Sequence, residues 1–196
     1  MKKIILASSS PRRKELLKMI GLKFEVFHSD IDESILEQET AEAGVLRLSK
    51  MKAEAALKYF PDGIIIGADT LVTANSRTGS SEILGKPANQ EDAYRMLKML
   101  SGQKSTVYTG ICLIDAESKT TDSNYSKTIV YMKNLKENTI SDYIKTGEPM
   151  DKAGSYAIQG IGSVLIKKVE GDFYNGVGLS VSLLADMLKK FGIEIP

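Results

Sequence analysis

Apolar and polar positions in this chain switch repeatedly between the rhythm of a strand and that of a helix. Ile4, Ile5 and Leu6 form a short apolar run cut off by three serines, which reads as a buried strand. Ser10 follows as an N-cap and Pro11 as the first helical residue, because the missing proline N–H costs nothing there. Leu16, Leu17 and Ile20 lay an apolar stripe along that helix, and Gly21 can stop it in the left-handed conformation. Phe24 and Val26 alternate with polar neighbours and predict a second strand. The polar, acidic stretch 29–40 reads as a loop or lid, and 45–60 has helical spacing that ends at Pro61-Asp62-Gly63. Ile64, Ile65 and Ile66 are too uniformly apolar for a half-exposed strand, so they predict a central one covered on both faces.

The second half continues the alternation. Residues 71–73 and 83–84 flank a polar Ser/Gly-rich turn and read as a small hairpin. Asn89 caps a helix with acidic residues in its first turn and Ala93, Met96, Leu97 and Leu100 on its buried face. Residues 106–115 and 128–132 are rich in β-formers and predict an antiparallel pair. A short helix is expected over 135–143, a strand over 164–169, and a closing helix over 180–191 stopped by Gly192. There is no internal repeat and no low-complexity linker. The fold class is α/β, with a mixed central sheet flanked by helices.

Composition narrows the function. At 196 residues the chain is long enough for one large domain or two closely packed lobes, and its 42% hydrophobic content can build a sizeable core. Its 26 basic and 25 acidic residues leave a net charge of +1, so no global field holds nucleic acid or an anionic membrane, and neither is expected as a partner. Local clusters must do any charge recognition. The single cysteine, Cys112, lies in an apolar run and reads as a small core residue; one thiol makes neither a disulfide framework nor a metal cluster. His28 is the only imidazole, which leaves no histidine- or cysteine-rich zinc site. No apolar run near the start reaches the length of a signal peptide or membrane span, and a cytoplasmic protein is expected.

The candidate chemistry starts at Ser8-Ser9-Ser10-Pro11-Arg12-Arg13. A strand turns there into a helix whose N-terminus offers free N–H groups, hydroxyls and two guanidiniums, the layout of a phosphate site. Taken alone, these residues read equally well as a capped surface helix with solvated arginines. Asp69 follows a buried strand at its carboxyl end, where open α/β sheets present catalytic groups, and small Gly67 and Ala68 permit close approach of a ligand. Further motifs come in order: Asp32-Glu33, Leu48-Ser49-Lys50-Met51-Lys52-Ala53, Gly67-Ala68-Asp69-Thr70, Gly85-Lys86-Pro87, Leu100-Ser101-Gly102, Thr109-Gly110, and the run from Gly147-Glu148-Pro149 through Gln159-Gly160. Together they closely resemble the Maf family, nucleoside triphosphate pyrophosphatases once named for septum formation. The resemblance covers almost the whole chain, from Leu6 to about Leu184.

The resemblance implies one domain over 1–196, in a two-lobed Maf/ITPase-like fold with a cleft between the lobes. It implies hydrolysis of a nucleoside triphosphate to the monophosphate and pyrophosphate, with Asp69, Glu33, Lys52 and Lys86 catalytic. Asp69 matches the family's proton acceptor, although a metal-ligand role would use the same oxygens. Glu33 is implied as a metal or water ligand, and Asp32 is peripheral. Charge builds up on departing pyrophosphate, so Mg2+ or Mn2+ is expected on Glu33 and Asp69. Arg13 and Ser8 complete a phosphate cradle around Lys52 and Lys86, while Ser10 keeps its capping duty. Lys152 is implied near phosphate and Gln159 near the base, where an amide offers both a donor and an acceptor.

Arg12, Thr70 and Gln159 match the family branch acting on dTTP and UTP; a branch acting on 7-methyl-GTP tends to carry tryptophan, glutamine and glutamate there. Two positions depart from the pattern: Ser105 stands where many members have histidine, and Ser180 replaces a proline. Ser105 can still hydrogen-bond, and Ser180 can cap the last helix. A homodimer is expected by resemblance only. A different class of reading is a nucleotide-binding regulator of cell division that hydrolyses nothing; intact Glu33, Asp69, Lys52 and Lys86 argue against it.

Overall fold

A computed structural model describes residues 2–75 and 81–195. The opening apolar run is β1 (Ile4–Ala7), and the Ser10 hydroxyl accepts from the Arg13 N–H to cap α1 (Pro11–Met19). After β2 (Glu25–Phe27), Thr40 caps α2 (Ala41–Leu57) by accepting from the Ala43 N–H, so the helix starts one turn before the expected residue 45. The isoleucine run opens β3 (Ile64–Asn75), followed by β4 (Ser81–Leu84), α3 (Gln90–Leu100), β5 (Lys104–Asp115) and β6 (Thr121–Met132). Then come α4 (Glu137–Lys145), β7 (Ile166–Gly171), the short α5 (Phe173–Val177) and α6 (Val181–Lys190). The strands form one seven-stranded sheet in the order β2-β1-β3-β5-β6-β7, with β4 on β3.

The predicted mixed α/β sheet is thus present. β1 pairs parallel with β2 and with β3, while β3–β4 and β6–β7 are antiparallel. The expected hairpin is the β3–β4 pair, with Thr73 opposite Ile83; most of its polar turn, residues 76–80, lies outside the described residues. Other boundaries shift as well. The helix expected from 135 starts at Glu137, because the Leu135 N–H donates to the Ser101 hydroxyl at 2.7 Å and stays tied to the end of α3. The strand expected from 164 starts at Ile166, since Ile161–Leu165 is wound into a 3-10 turn that leaves Val164 exposed.

Contacts divide the chain into two units. The first comprises Met1–Asp69, Thr109–Ser126 and Gly178–Pro196. Its core gathers Ile5, Ala7, Ile65, Cys112 and Ile114 from the sheet with Ala53 and Ala56 from α2, and Phe27 and Phe60 close its margin. Cys112 is fully buried as expected, and burial pushes its thiol pKa up. Gly67 lets α2 lie directly on β3: a Cβ there would stand 2.0 Å from the Ser49 carbonyl oxygen and 2.8 Å from the Ala53 nitrogen. Ser180 caps α6 by accepting from the Leu183 N–H at 3.2 Å, so that departure from the family pattern leaves the cap intact.

The second unit comprises Thr70–Tyr108 and Lys127–Val177. Here α3 packs on α4 and on the 3-10 turns Glu148–Asp151 and Ala153–Ser155, burying Ala93, Met96, Leu97 and Leu100 against Ile140, Tyr143 and Ile144. Ser105 is buried and shares a 3.1 Å hydrogen bond with the Tyr156 hydroxyl, the polar contact it was expected to keep. Among the described residues no helix is long and apolar enough to cross a membrane.

Candidate active site

The approach of α2 to β3 over Gly67 determines the central contact of the first unit. Lys52 sits on the buried face of α2 beside Ala53, and Asp69 lies two residues beyond Gly67 on β3. Lys52 Nζ consequently donates to Asp69 Oδ1 at 2.5 Å, and both residues are about 95% buried. Glu33 Oε1 reaches the same ammonium at 2.7 Å from the loop after β2, with its side chain 44% exposed. Two carboxylates and one buried ammonium therefore share a point. Such a pairing satisfies charges that would be costly to bury singly.

At the start of α1, Arg13 is buried, unlike a solvated surface arginine. Its Nε donates to the Gly178 carbonyl at 2.8 Å and its Nη1 to the Ser8 hydroxyl at 3.0 Å, and Ser8 Oγ also accepts from the Ser10 N–H. Burial works to lower the Arg13 pKa, while the nearby charges of Asp69 and Glu33 oppose that shift. Arg12, one residue earlier, is half-buried. Ser8, Arg13, Glu33, Lys52 and Asp69 thus form one polar group within the first unit.

The Glu33 loop is fastened by residues the sequence reading passed over. Arg47 on α2 makes a two-pronged pair with Glu39, both contacts 2.7 Å, and also donates to the Ser34 carbonyl at 2.9 Å. The Leu36 N–H closes the loop on Glu39 at 3.1 Å. Glu39 stands just before the Thr40 cap, outside the helix, and eight residues from Arg47, so the i,i+3 and i,i+4 spacing of helical pairs carries no signal of their meeting.

The other expected residues lie in the second unit. Thr70 is half-buried on β3, directly after Asp69. Lys86 is exposed in front of buried Pro87, and Lys152 is half-buried, paired with Asp151 and donating to the Glu148 carbonyl at 3.1 Å. A 3.0 Å hydrogen bond from the Gly154 N–H to the Gly85 carbonyl joins the Lys152 segment to the Lys86 corner. Gln159 is exposed after buried Ile158.

A hard divalent cation has two carboxylate donors to use, Glu33 and Asp69, whose oxygens already converge on one cationic point. That set suits an ion that keeps water and phosphate oxygens in its remaining positions. Among the described residues no group of three or more histidine, cysteine, aspartate or glutamate side chains is placed to hold a metal by itself.

The model of the family described as Maf-like protein matches residues 3–191. The chain belongs to the Maf-like family. Over its full length this Maf-like chain is 46% identical to the dTTP/UTP pyrophosphatase of Caldicellulosiruptor saccharolyticus, covering 98% of that protein. It is 47% identical to the dTTP/UTP pyrophosphatase of Pelotomaculum thermopropionicum, with both chains covered completely. The Maf-like chain also matches the solved structure of the Staphylococcus aureus Ham1 protein, with a TM-score of 0.54 at 14% identity, over 97% of this chain and 100% of that one. That likeness shows a shared fold.

Proposed function

We propose that this Maf-like protein is a nucleoside triphosphate pyrophosphatase that converts dTTP and UTP, with water, to the monophosphate and pyrophosphate. The observation that carries the reading is the buried Lys52 ammonium held between Glu33 and Asp69, in a chain that dTTP/UTP pyrophosphatases match end to end.

In this reading residues 1–196 act as one catalytic domain. Asp69 accepts the proton of a water whose oxygen attacks the α-phosphorus; the bond from that phosphorus to the bridging oxygen breaks, and pyrophosphate leaves with the electron pair. Lys52 holds the Asp69 carboxylate in one orientation, a task suited to their 2.5 Å contact. Arg13, with Ser8 steadying it, and Lys86 and Lys152 neutralise phosphate oxygens, and Lys86 also stabilises the departing charge. Mg2+ or Mn2+ held on Glu33 and Asp69 would supply Lewis-acid stabilisation of that charge. Arg12, Thr70 and Gln159 read the pyrimidine. The protein works in the cytoplasm on free nucleotide, and a second copy of the chain is its expected partner.

The test is to incubate purified protein with dTTP, UTP, CTP, GTP and 7-methyl-GTP plus Mg2+ or Mn2+, measuring pyrophosphate against orthophosphate. The reading expects pyrophosphate, fastest from dTTP and UTP. Orthophosphate alone, or tight binding without either product, would overturn it.

A further inference from the structure

The loop bearing Gln159 is closed around one side chain that the reaction does not use. Glu148 opens the 3-10 turn Glu148–Asp151, and its carboxylate points back across the loop. Oε1 accepts from the Ile161 N–H at 2.9 Å, and Oε2 accepts from the Gly162 N–H at 2.7 Å and from the Tyr143 hydroxyl at 2.8 Å. Tyr143, buried on α4, accepts in turn from the Ala157 N–H at 3.2 Å. The segment is therefore pinned on both sides of Gln159, at 157 and at 161–162. Buried Ile158 anchors the near side, and Gln159 is presented to solvent.

The glycines here answer to this closure. A Cβ on Gly160 would stand 2.4 Å from Glu148 Oε1, and one on Gly162 would stand 2.5 Å from the Tyr143 hydroxyl. The backbone also takes φ +94° at Gly160, which disfavours other residues. The Glu148 carbonyl meanwhile receives Lys152 Nζ. One residue thus supports the mounts of two proposed substrate contacts, through its side chain for Gln159 and its backbone for Lys152.

We propose that Glu148, acting through Tyr143 and the 157–162 backbone, is a positioning residue that fixes Gln159 and thereby determines nucleobase selectivity. The inference rests on the reading of Gln159 as the residue that meets the base. Its physical basis is that a hydrogen-bonding group discriminates only when it is held in place; displacement by about 1 Å can cost two decades in rate. A carboxylate suits this closure because it accepts every bond offered. A glutamine in its place would turn an N–H toward an N–H donor.

The test compares wild type, Glu148→Gln and Tyr143→Phe by kcat/KM for dTTP, UTP, CTP and GTP, alongside hydrogen exchange at the Ala157, Ile161 and Gly162 amides. In Glu148→Gln the dTTP-over-GTP preference should fall about ten- to a hundredfold, chiefly through a higher KM for dTTP, and the three amides should exchange faster. Tyr143→Phe leaves both backbone bonds to Glu148 in place and should act in the same direction but less. It carries the test if Glu148→Gln does not fold. An equal loss on every nucleotide, or an unchanged preference in folded variants of a selective wild type, would overturn the positioning role. A wild type that does not discriminate dTTP from GTP would instead sink the reading of Gln159, and the proposal with it.

Discussion

The loop that carries Glu33 and the loop that carries Gln159 are each held by one side chain, through opposite chemistry. Arg47 grips the first with a full positive charge, pairing with the Glu39 carboxylate and a backbone carbonyl. Glu148 grips the second with a full negative charge spread over two N–H groups and a phenol. An ion pair suits the first loop because its cargo is charged: Glu33 has to be delivered to the Lys52 ammonium. Neutral donors suit the second, whose cargo is an amide that, in the proposed function, chooses by its pattern of donor and acceptor. Under the proposed function, fastening one loop would serve rate, and fastening the other would serve choice.

The largest effect bears on the carboxylate that meets Glu33 at the Lys52 ammonium. Asp69→Asn should keep the fold and nucleotide binding while lowering kcat by about 10²–10⁴-fold, the usual contribution of a positioned general base. Turnover near wild type would remove Asp69 from the mechanism. Next, Arg47→Gln should lower kcat by about tenfold with every nucleotide alike, because it loosens Glu33 and leaves the base-reading loop intact. If its dTTP-over-GTP ratio shifted as it is expected to in Glu148→Gln, the division of labour between the loops would be refuted.

The smallest effect is on acid stability. The Arg47 guanidinium holds the Glu39 carboxyl below the usual glutamate range. Burial works to raise Glu148, yet the Tyr143 hydroxyl and the Gly162 and Ile161 N–H groups outweigh it and hold its pKa low as well. A carboxyl with a depressed folded pKa stabilises the fold above its unfolded pKa, and that stability is lost as pH falls through the folded value. Both fastenings should therefore hold throughout neutral pH and fail only in acid. Melting temperatures measured down the pH scale should fall less steeply in Glu39→Gln and in Glu148→Gln than in wild type; parallel curves would exclude any contribution from these carboxylates.

What the chain declared in advance was whatever depends on near neighbours. Ser10 with Pro11, Asn89 and Ser180 announced three helix starts, because a cap is settled within one turn. The isoleucine run announced the opening of β3, where Ile64, Ile65 and Ile66 are fully buried. Structure that depends on distant partners stayed hidden. Strand β6 extends back to Thr121 through seven residues of mostly polar character, since strand pairing can override a weak local preference. The five-residue helix α5 is too short to show a periodicity. The resemblance named Lys52, Glu33 and Asp69 separately, but their meeting depends on Lys52 and Asp69, 17 residues apart, being brought together by the packing of α2 on β3. Arg13 likewise read as readily as a solvated residue, until the Gly178 carbonyl, 165 residues away, covered its Nε.

Gly67 gives that packing an evolutionary consequence. A single methyl group at this position collides with the Ser49 carbonyl, so relief requires α2 to lift from the sheet, and lifting α2 draws Lys52 away from Asp69. Mutational drift at residue 67 therefore cannot exchange a little activity for a little robustness, because both are lost in the same step. Lineages that adapt this scaffold to heat or to new nucleotides would have to vary at positions other than residue 67.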